Sequence, residues 1–319
     1  MGEALRWDVL VIGAGPAGLS AAIYARRALL STLVLDKALP GGLLNQALSV
    51  ENFPGFEQAI SGAELTGRMR RQAERLGAQI ASEEVRSISR EDGVVRVQTQ
   101  GSAFEARAVV LATGSRPREL PVDGVRRLVG RGVSYCATCD GYFFQGRDVL
   151  SVGAGDSGLT EALFLARIAR SVGIIVRHPE EDPHAVRASA SLKRSARENP
   201  RIRFLWNRTV EEVRGEGHLE AVILRNLGGG DLEEHRADAL FIQIGHVPET
   251  EFLRGRLALD AGGHVVTDDR LRTSVEGVFA AGDVRAGASR YAQAIVAAGE
   301  GAIAAMEAER YLEGKGSSP

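Results

Sequence analysis

Cysteine is nearly absent from this chain: two residues in 319, both in the run Cys136-Ala137-Thr138-Cys139. That excludes a disulfide framework, and a chain long enough for about two domains buries sufficient core without one. Structural zinc normally takes four ligands. Two cysteines cannot supply them, and His178 and His184 lie far along the chain, so no metal is expected. In a reducing compartment a lone C-x-x-C reads as redox chemistry. Long hydrophobic runs are missing too; none approaches the ~20 residues that span a bilayer. The apolar run 9–12 leads straight into glycines, not into a small-residue cleavage site, so no signal peptide is expected. Excess charge of one sign is also lacking. A net charge of −2 leaves no footprint for nucleic acid or an anionic membrane. The expectation is a soluble, cytoplasmic protein.

Glycine, in contrast, is abundant. With 38 of them, a single G-x-G-x-x-G is weak evidence, and its context has to decide. Residues 8–12 form a short apolar run rich in β-formers, followed by Gly13-Ala14-Gly15-Pro16-Ala17-Gly18 and a helical stretch over 19–30. A second strand, 32–35, ends at Asp36. The same order returns: a strand over 148–152, Gly153-Ala154-Gly155-Asp156-Ser157-Gly158, a helix over 159–169 and a strand over 172–176 ending at Arg177-His178. Two βαβ units, each opening on this motif, imply two nucleotide-binding domains. Strands at 108–112, running into Thr113-Gly114, and at 277–281, running into Gly282-Asp283, complete the first unit, with an Ala-rich helix over 293–312. The second domain is therefore read as an insertion: 1–117 and 246–319 form the outer domain, 118–245 the inner one. Residues 94–100 read as a meander strand, and Gly228-Gly229-Gly230 as a hairpin loop. The fold class is α/β, with two Rossmann-like domains, each a three-layer doubly wound sheet plus a β-meander.

Within each motif the first glycine permits the tight turn, the second lets the backbone approach a pyrophosphate, and the third lets helix and strand pack closely. The free N–H groups of the helix start then face the phosphates. The residues that follow differ in chemistry. Asp36 can accept hydrogen bonds from ribose hydroxyls and repels a 2′-phosphate, which fits the adenosine half of FAD. Arg177, with His178 beside it, favours a 2′-phosphate and so NADPH over NADH. Arg187 adds a second cation if the intervening loop folds back.

Gly13 to Gly18, Val50-Glu51-Asn52-Phe53-Pro54-Gly55, Ala112-Thr113-Gly114, Cys136-Ala137-Thr138-Cys139-Asp140-Gly141, Gly153 to Gly158, Ile244-Gly245-His246-Val247-Pro248 and Gly277 to Val284 follow one another along almost the whole chain. Together they resemble the low-molecular-weight bacterial thioredoxin reductases. The resemblance implies FAD on the outer domain, held by Gly13, Gly15, Pro16, Ala17, Gly18, Asp36, Gly41, Gly42, Thr113, Gly114 and Gly282. It also implies Asp283 at the ribityl chain, Asn52 near the flavin, Gln293 and Ala294 at the isoalloxazine edge, and a homodimer. Gly153, Gly155, Asp156 and Ser157 would meet the pyridine nucleotide. The chain departs from the pattern at Leu43, at Tyr135, at Ala292 and, above all, after Arg177. There, residues 179–184 carry Glu180, Glu181 and Asp182 where a cationic clamp is usual. NADH and reduced ferredoxin therefore stay open beside NADPH as donors.

A C-x-x-C where a loop meets a helix brings two sulfurs within disulfide reach, and a helix start lowers the thiol pKa that it faces. In the family pattern Cys139 receives electrons from the flavin, Cys136 attacks the substrate disulfide, and Asp140 manages protons. Thioredoxin is the implied partner, with another small dithiol protein or a non-catalytic flavin sensor as alternatives. The inserted domain would rotate about its two connections to serve both half-reactions.

Overall fold

Alternation inside one apolar strand organises the first core. In β1 (Leu5–Ile12), Val9 and Val11 turn to a cluster shared with two helices, while Leu10 and Ile12 turn to a second cluster that includes Val95 and Val97. All four are essentially inaccessible, as befits a central parallel strand covered on both faces. The computed structural model describes residues 5–47 and 50–314. It divides into two compact units: residues up to Arg116 together with those from His246, and Pro117–Gly245.

In the first unit, β1 is followed by α1 (Pro16–Arg27), β2 (Thr32–Asp36), α2 (Gly62–Arg75), β3 (Gln79–Ser82), β4 (Val85–Glu91), β5 (Val94–Thr99) and β6 (Ala103–Leu111). Pro16 suits a first helical position, because its missing N–H has no partner to lose there. α1 ends three residues before the expected 30, where Leu29 takes a left-handed conformation (φ 61°) and turns the chain toward β2. The strand expected at 108–112 starts earlier, at Ala103, because its two halves have different partners. Ala103–Ala106 pairs antiparallel with β5, and Val109–Leu111 pairs parallel with a later strand. The sheet runs β3-β2-β1-β6-β5-β4.

The crossing strand β7 (Ser115–Pro117) leads into the second unit: α3 (Val125–Leu128), β8 (Val133–Ser134), α4 (Ala137–Asp140), β9 (Asp148–Val152), α5 (Asp156–Ile168), β10 (Ser171–Ile175), α6 (Ala190–Glu198) and β11 (Ile202–Leu205). The antiparallel meander β12 (Arg208–Arg214), β13 (Ala221–Asn226) and β14 (Leu232–Arg236) follows, then β15 (Ala239–Ile242). Its main sheet is parallel throughout, in the order β11-β10-β9-β15-β8. The three glycines 228–230 close the β13–β14 hairpin. The return strand β16 (His246–Pro248) pairs with β7. The first unit is completed by β17 (Val278–Ala280) beside β6 and by α7 (Ala294–Leu312) against α1. A Cβ on Gly301 of α7 would overlap the carbonyl of Ala17, so glycine sets that close helix contact. Among the described residues, no helix is long and apolar enough to cross a membrane.

Candidate functional site

Both glycine motifs lie at C-terminal strand ends, where parallel sheets place their ligands. In the first, a Cβ on Gly13 (φ 106°) would overlap the Ala112 carbonyl, and one on Gly18 would overlap the Gly13 carbonyl. Both positions are closed by the fold itself. Gly15 differs: nothing stands within 4 Å of a Cβ placed there. That open side, at the N-terminus of α1, is the cradle a dinucleotide phosphate requires. Asp36 closes β2 by accepting the amides of Ala14 (2.6 Å) and Ala38 (2.9 Å). Gly41 donates its amide to the Ala14 carbonyl at 2.7 Å, and Gly42 comes close to Gly15. Gly282 lies against Ala17 of α1. Asn52 Nδ2 donates to Gln293 Oε1 at 2.9 Å, which joins two expected flavin neighbours 241 residues apart. Thr113 Oγ1 donates to the Glu249 carbonyl, and Gly114 accepts the Glu249 amide. These positions fit FAD.

Asp283 sits partly buried behind this cradle. Burial, helped by Glu300, pushes its carboxyl up to about 6, and His264 opposes the rise. Glu300, on α7, accepts the Gly282 amide (2.8 Å) and binds Arg285 with both carboxylate oxygens. No motif announced this pair. Its only sequence signal is a carboxylate inside an otherwise Ala/Gly-rich helix.

The second motif repeats the geometry. A Cβ on Gly153 would overlap the Gln243 carbonyl, and one on Gly158 the Gly153 carbonyl, while Gly155 is open. Asp156 Oδ1 accepts the Ser189 amide at the start of α5, and Ser157 is exposed beside it. The loop after β10 does fold back: Arg187 donates its amide to Ala154 at 2.9 Å and bridges to Gly155. The acids of that loop have local work. Asp182 takes His178 Nδ1 at 2.7 Å and the His184 amide at 2.8 Å; the His184 bond foremost holds its carboxyl below the usual range. Glu180 lies 4.0 Å from Arg197. Arg177 is exposed, and among the described residues neither it nor Arg187 forms an ion pair. This cradle fits a pyridine nucleotide.

The redox pair lies on the same unit. Cys136 and Cys139 form a disulfide, with Cα atoms 5.3 Å apart. Cys136 stands immediately before α4, and its Sγ accepts the Cys139 amide at 3.2 Å. Such a donor favours a thiolate over a thiol. Cys136 is half-buried and Cys139 exposed. Ser134 Oγ receives the Cys136 amide (3.0 Å) and donates to Asp140 Oδ2 (2.6 Å). Burial raises the Asp140 carboxyl above its ordinary value, and the Ser134 bond works against that. Ala137, between the cysteines, donates its amide to Glu161 of α5 at 2.8 Å. Ser134 and Glu161 escaped the sequence reading. The available signal for Glu161 was an acid at the edge of the stripe Leu159, Ala162, Leu165.

The family model described as pyridine nucleotide-disulphide oxidoreductase matches residues 7–301. A thioredoxin reductase of Treponema pallidum is 44% identical over 307 residues, covering 96% of this chain and 97% of the relative. One from Streptomyces clavuligerus is 44% identical over 308 residues, covering 96% and 94%. The solved structure of thioredoxin reductase from Streptococcus pyogenes matches with TM-score 0.90 at 36% identity, covering 98% of this chain and 100% of that one.

Proposed function

The chain belongs to the pyridine nucleotide-disulphide oxidoreductase family, and from that premise we propose that it works as a thioredoxin reductase. Electrons pass from NADPH by way of FAD to Cys136–Cys139 and on to the disulfide of thioredoxin. The observation that carries this reading is the Cys136–Cys139 disulfide on the unit that also holds the second glycine cradle. Bound FAD supplies two-electron chemistry between a nicotinamide and a disulfide. Gly13, Gly15, Pro16, Ala17, Gly18 and Asp36 hold its pyrophosphate and adenosine ribose, with Gly41, Gly42, Thr113, Gly114 and Gly282 around them. Asp283 orients the ribityl chain, and Asn52, Gln293 and Ala294 the isoalloxazine.

Two electrons and two protons open the disulfide to a dithiol. The Cys136 thiolate, stabilised by the Cys139 amide, attacks the substrate disulfide and forms a mixed disulfide. Cys139 then attacks the Cys136 sulfur, releases the substrate as a dithiol and restores the pair. Asp140 holds the proton that the leaving thiolate takes. Gly153, Gly155, Asp156 and Ser157 receive the pyrophosphate of NADPH, and Arg177 and Arg187 its 2′-phosphate. The pairing of His178 with Asp182 withdraws that side chain from the clamp and keeps NADH as the second donor. Exposed Ile295, Ile303 and Met306 on α7 support a homodimer through the outer unit. A chain with two cysteines, both redox-active, suits the cytoplasm.

Anaerobic flavin absorbance, read with NADPH, NADH and reduced ferredoxin in turn, tests the donor. NADPH should bleach the flavin; failure of NADPH with success of ferredoxin overturns that assignment and leaves the disulfide chemistry standing. Cys136→Ser should abolish thioredoxin reduction and spare flavin reduction. Unchanged turnover sinks the exchange mechanism.

A further inference from the structure

One carboxylate beneath the redox pair has no part in that exchange. Glu161 accepts the amide of Ala137, the fully buried residue that follows Cys136. A partly buried carboxylate usually faces a cation or several donors; here, among the described residues, one backbone amide from the redox loop supplies the bond. We propose that Glu161 is a positioning residue for the Cys136–Cys139 pair: it anchors the segment between the sulfurs, and its charge sets how readily Cys136 becomes a thiolate.

The surroundings leave that charge uncompensated. Ser157, Gly158, Phe164 and Leu165 share its face of α5 by helical spacing and carry none. From α4 and the residue before it come the two cysteines and Asp140, itself bonded to Ser134. The turn Gly141–Phe144 adds Tyr142, whose ring meets Phe164 edge-on. α6 adds Lys193, Arg194, Arg197 and Glu198, with Arg197 lying over Trp206. Asp148 on β9 pairs with Arg170, which precedes β10, and Arg203 lies on β11. Burial lifts the Glu161 carboxyl to about 7, opposed only by the Ala137 amide. Below that pH the carboxyl is neutral. Above it, an anion stands on the amide of Ala137, one residue from Cys136, raises the thiol pKa and favours the closed disulfide.

This inference rests on the redox reading of the pair but on neither the donor nor the protein substrate. The test therefore uses neither. The FAD-loaded full chain is reduced with dithiothreitol, desalted without air and alkylated with iodoacetamide across pH, with each cysteine read by mass spectrometry. Alkylation of Cys136 should rise in two steps in the native chain, one of them near pH 7. Glu161→Gln keeps an oxygen for the Ala137 amide but no charge. It should give one step, with the thiol pKa lower by about one unit than beside an ionised Glu161, and so roughly tenfold more thiolate above about pH 7 and no difference well below it. Glu161→Ala should lose the same step. Superimposable profiles for Glu161→Gln and the native chain overturn the proposal, even if Glu161→Ala is disturbed. Loss of thioredoxin turnover with the two-step profile intact would count against the substrate reading alone.

Discussion

Asp283 and Glu161 hold their protons more tightly in the folded chain than in the unfolded one, at about 6 and about 7. A folded state that binds extra protons loses stability as pH rises. The contribution is therefore fully present below the ordinary carboxylate values near 4 and lost as pH climbs through 6 and 7. Asp283→Asn removes one such group without changing its shape. In the flavin-free chain this variant should be more stable than the native one by about 1–2 kcal/mol at pH 7, after allowance for partial exposure. The two should be equal near pH 3.5. Urea denaturation at both pH values measures the difference, and a pH-independent difference would show that Asp283 titrates normally. These residues also mark where the sequence falls silent. Asp36, Cys136 and Cys139 were legible because each belongs to a motif. Glu161 reaches Ala137 across 24 positions and Glu300 reaches Gly282 across 18, and no local pattern encodes such a meeting.

The strand-turn-helix elements were legible for a physical reason. A strand buried on both faces must be continuously apolar, and a turn made against a neighbouring carbonyl admits only glycine. The extents of α1 and β6 were less legible, because Leu29 and the split pairing of β6 answer to neighbours and not to local propensity. The acidic run after β10 was harder still: three acids in sequence say nothing about Asp182 being turned onto His178. Within each turn the glycines divide the work, and substitutions should separate the roles. Gly18→Ala and Gly158→Ala place a methyl against backbone that cannot yield. Each should cost about 2–3 kcal/mol of stability. Gly15→Ala meets no protein atom, so its urea midpoint should match that of the native chain once both are stripped of flavin. Its FAD affinity should nevertheless fall at least tenfold, read by quenching of flavin fluorescence. Native FAD affinity in Gly15→Ala would remove the pyrophosphate from that side of the turn.

At the scale of the whole molecule, each compact unit owns a sheet with a parallel centre, a core and a glycine cradle. A ligand that binds only the folded form of one unit stabilises that unit by mass action, by about 2.7 kcal/mol at a hundredfold excess over its Kd. The two cofactors should therefore act on different unfolding transitions. Stripping FAD should lower the transition of the unit built from residues up to Arg116 and from His246 on. NADP⁺ should raise only the transition of Pro117–Gly245. Scanning calorimetry of the native chain, of Gly15→Ala and of Gly155→Ala separates these effects. Gly15→Ala should abolish the response to FAD and keep that to NADP⁺, and Gly155→Ala should do the reverse. The proposed order of events links this division to function, because electrons would enter and leave through one unit while the flavin stays in the other. If a single transition responds to both ligands, the units unfold as one cooperative body, and the division of labour between two independently stable nucleotide domains fails.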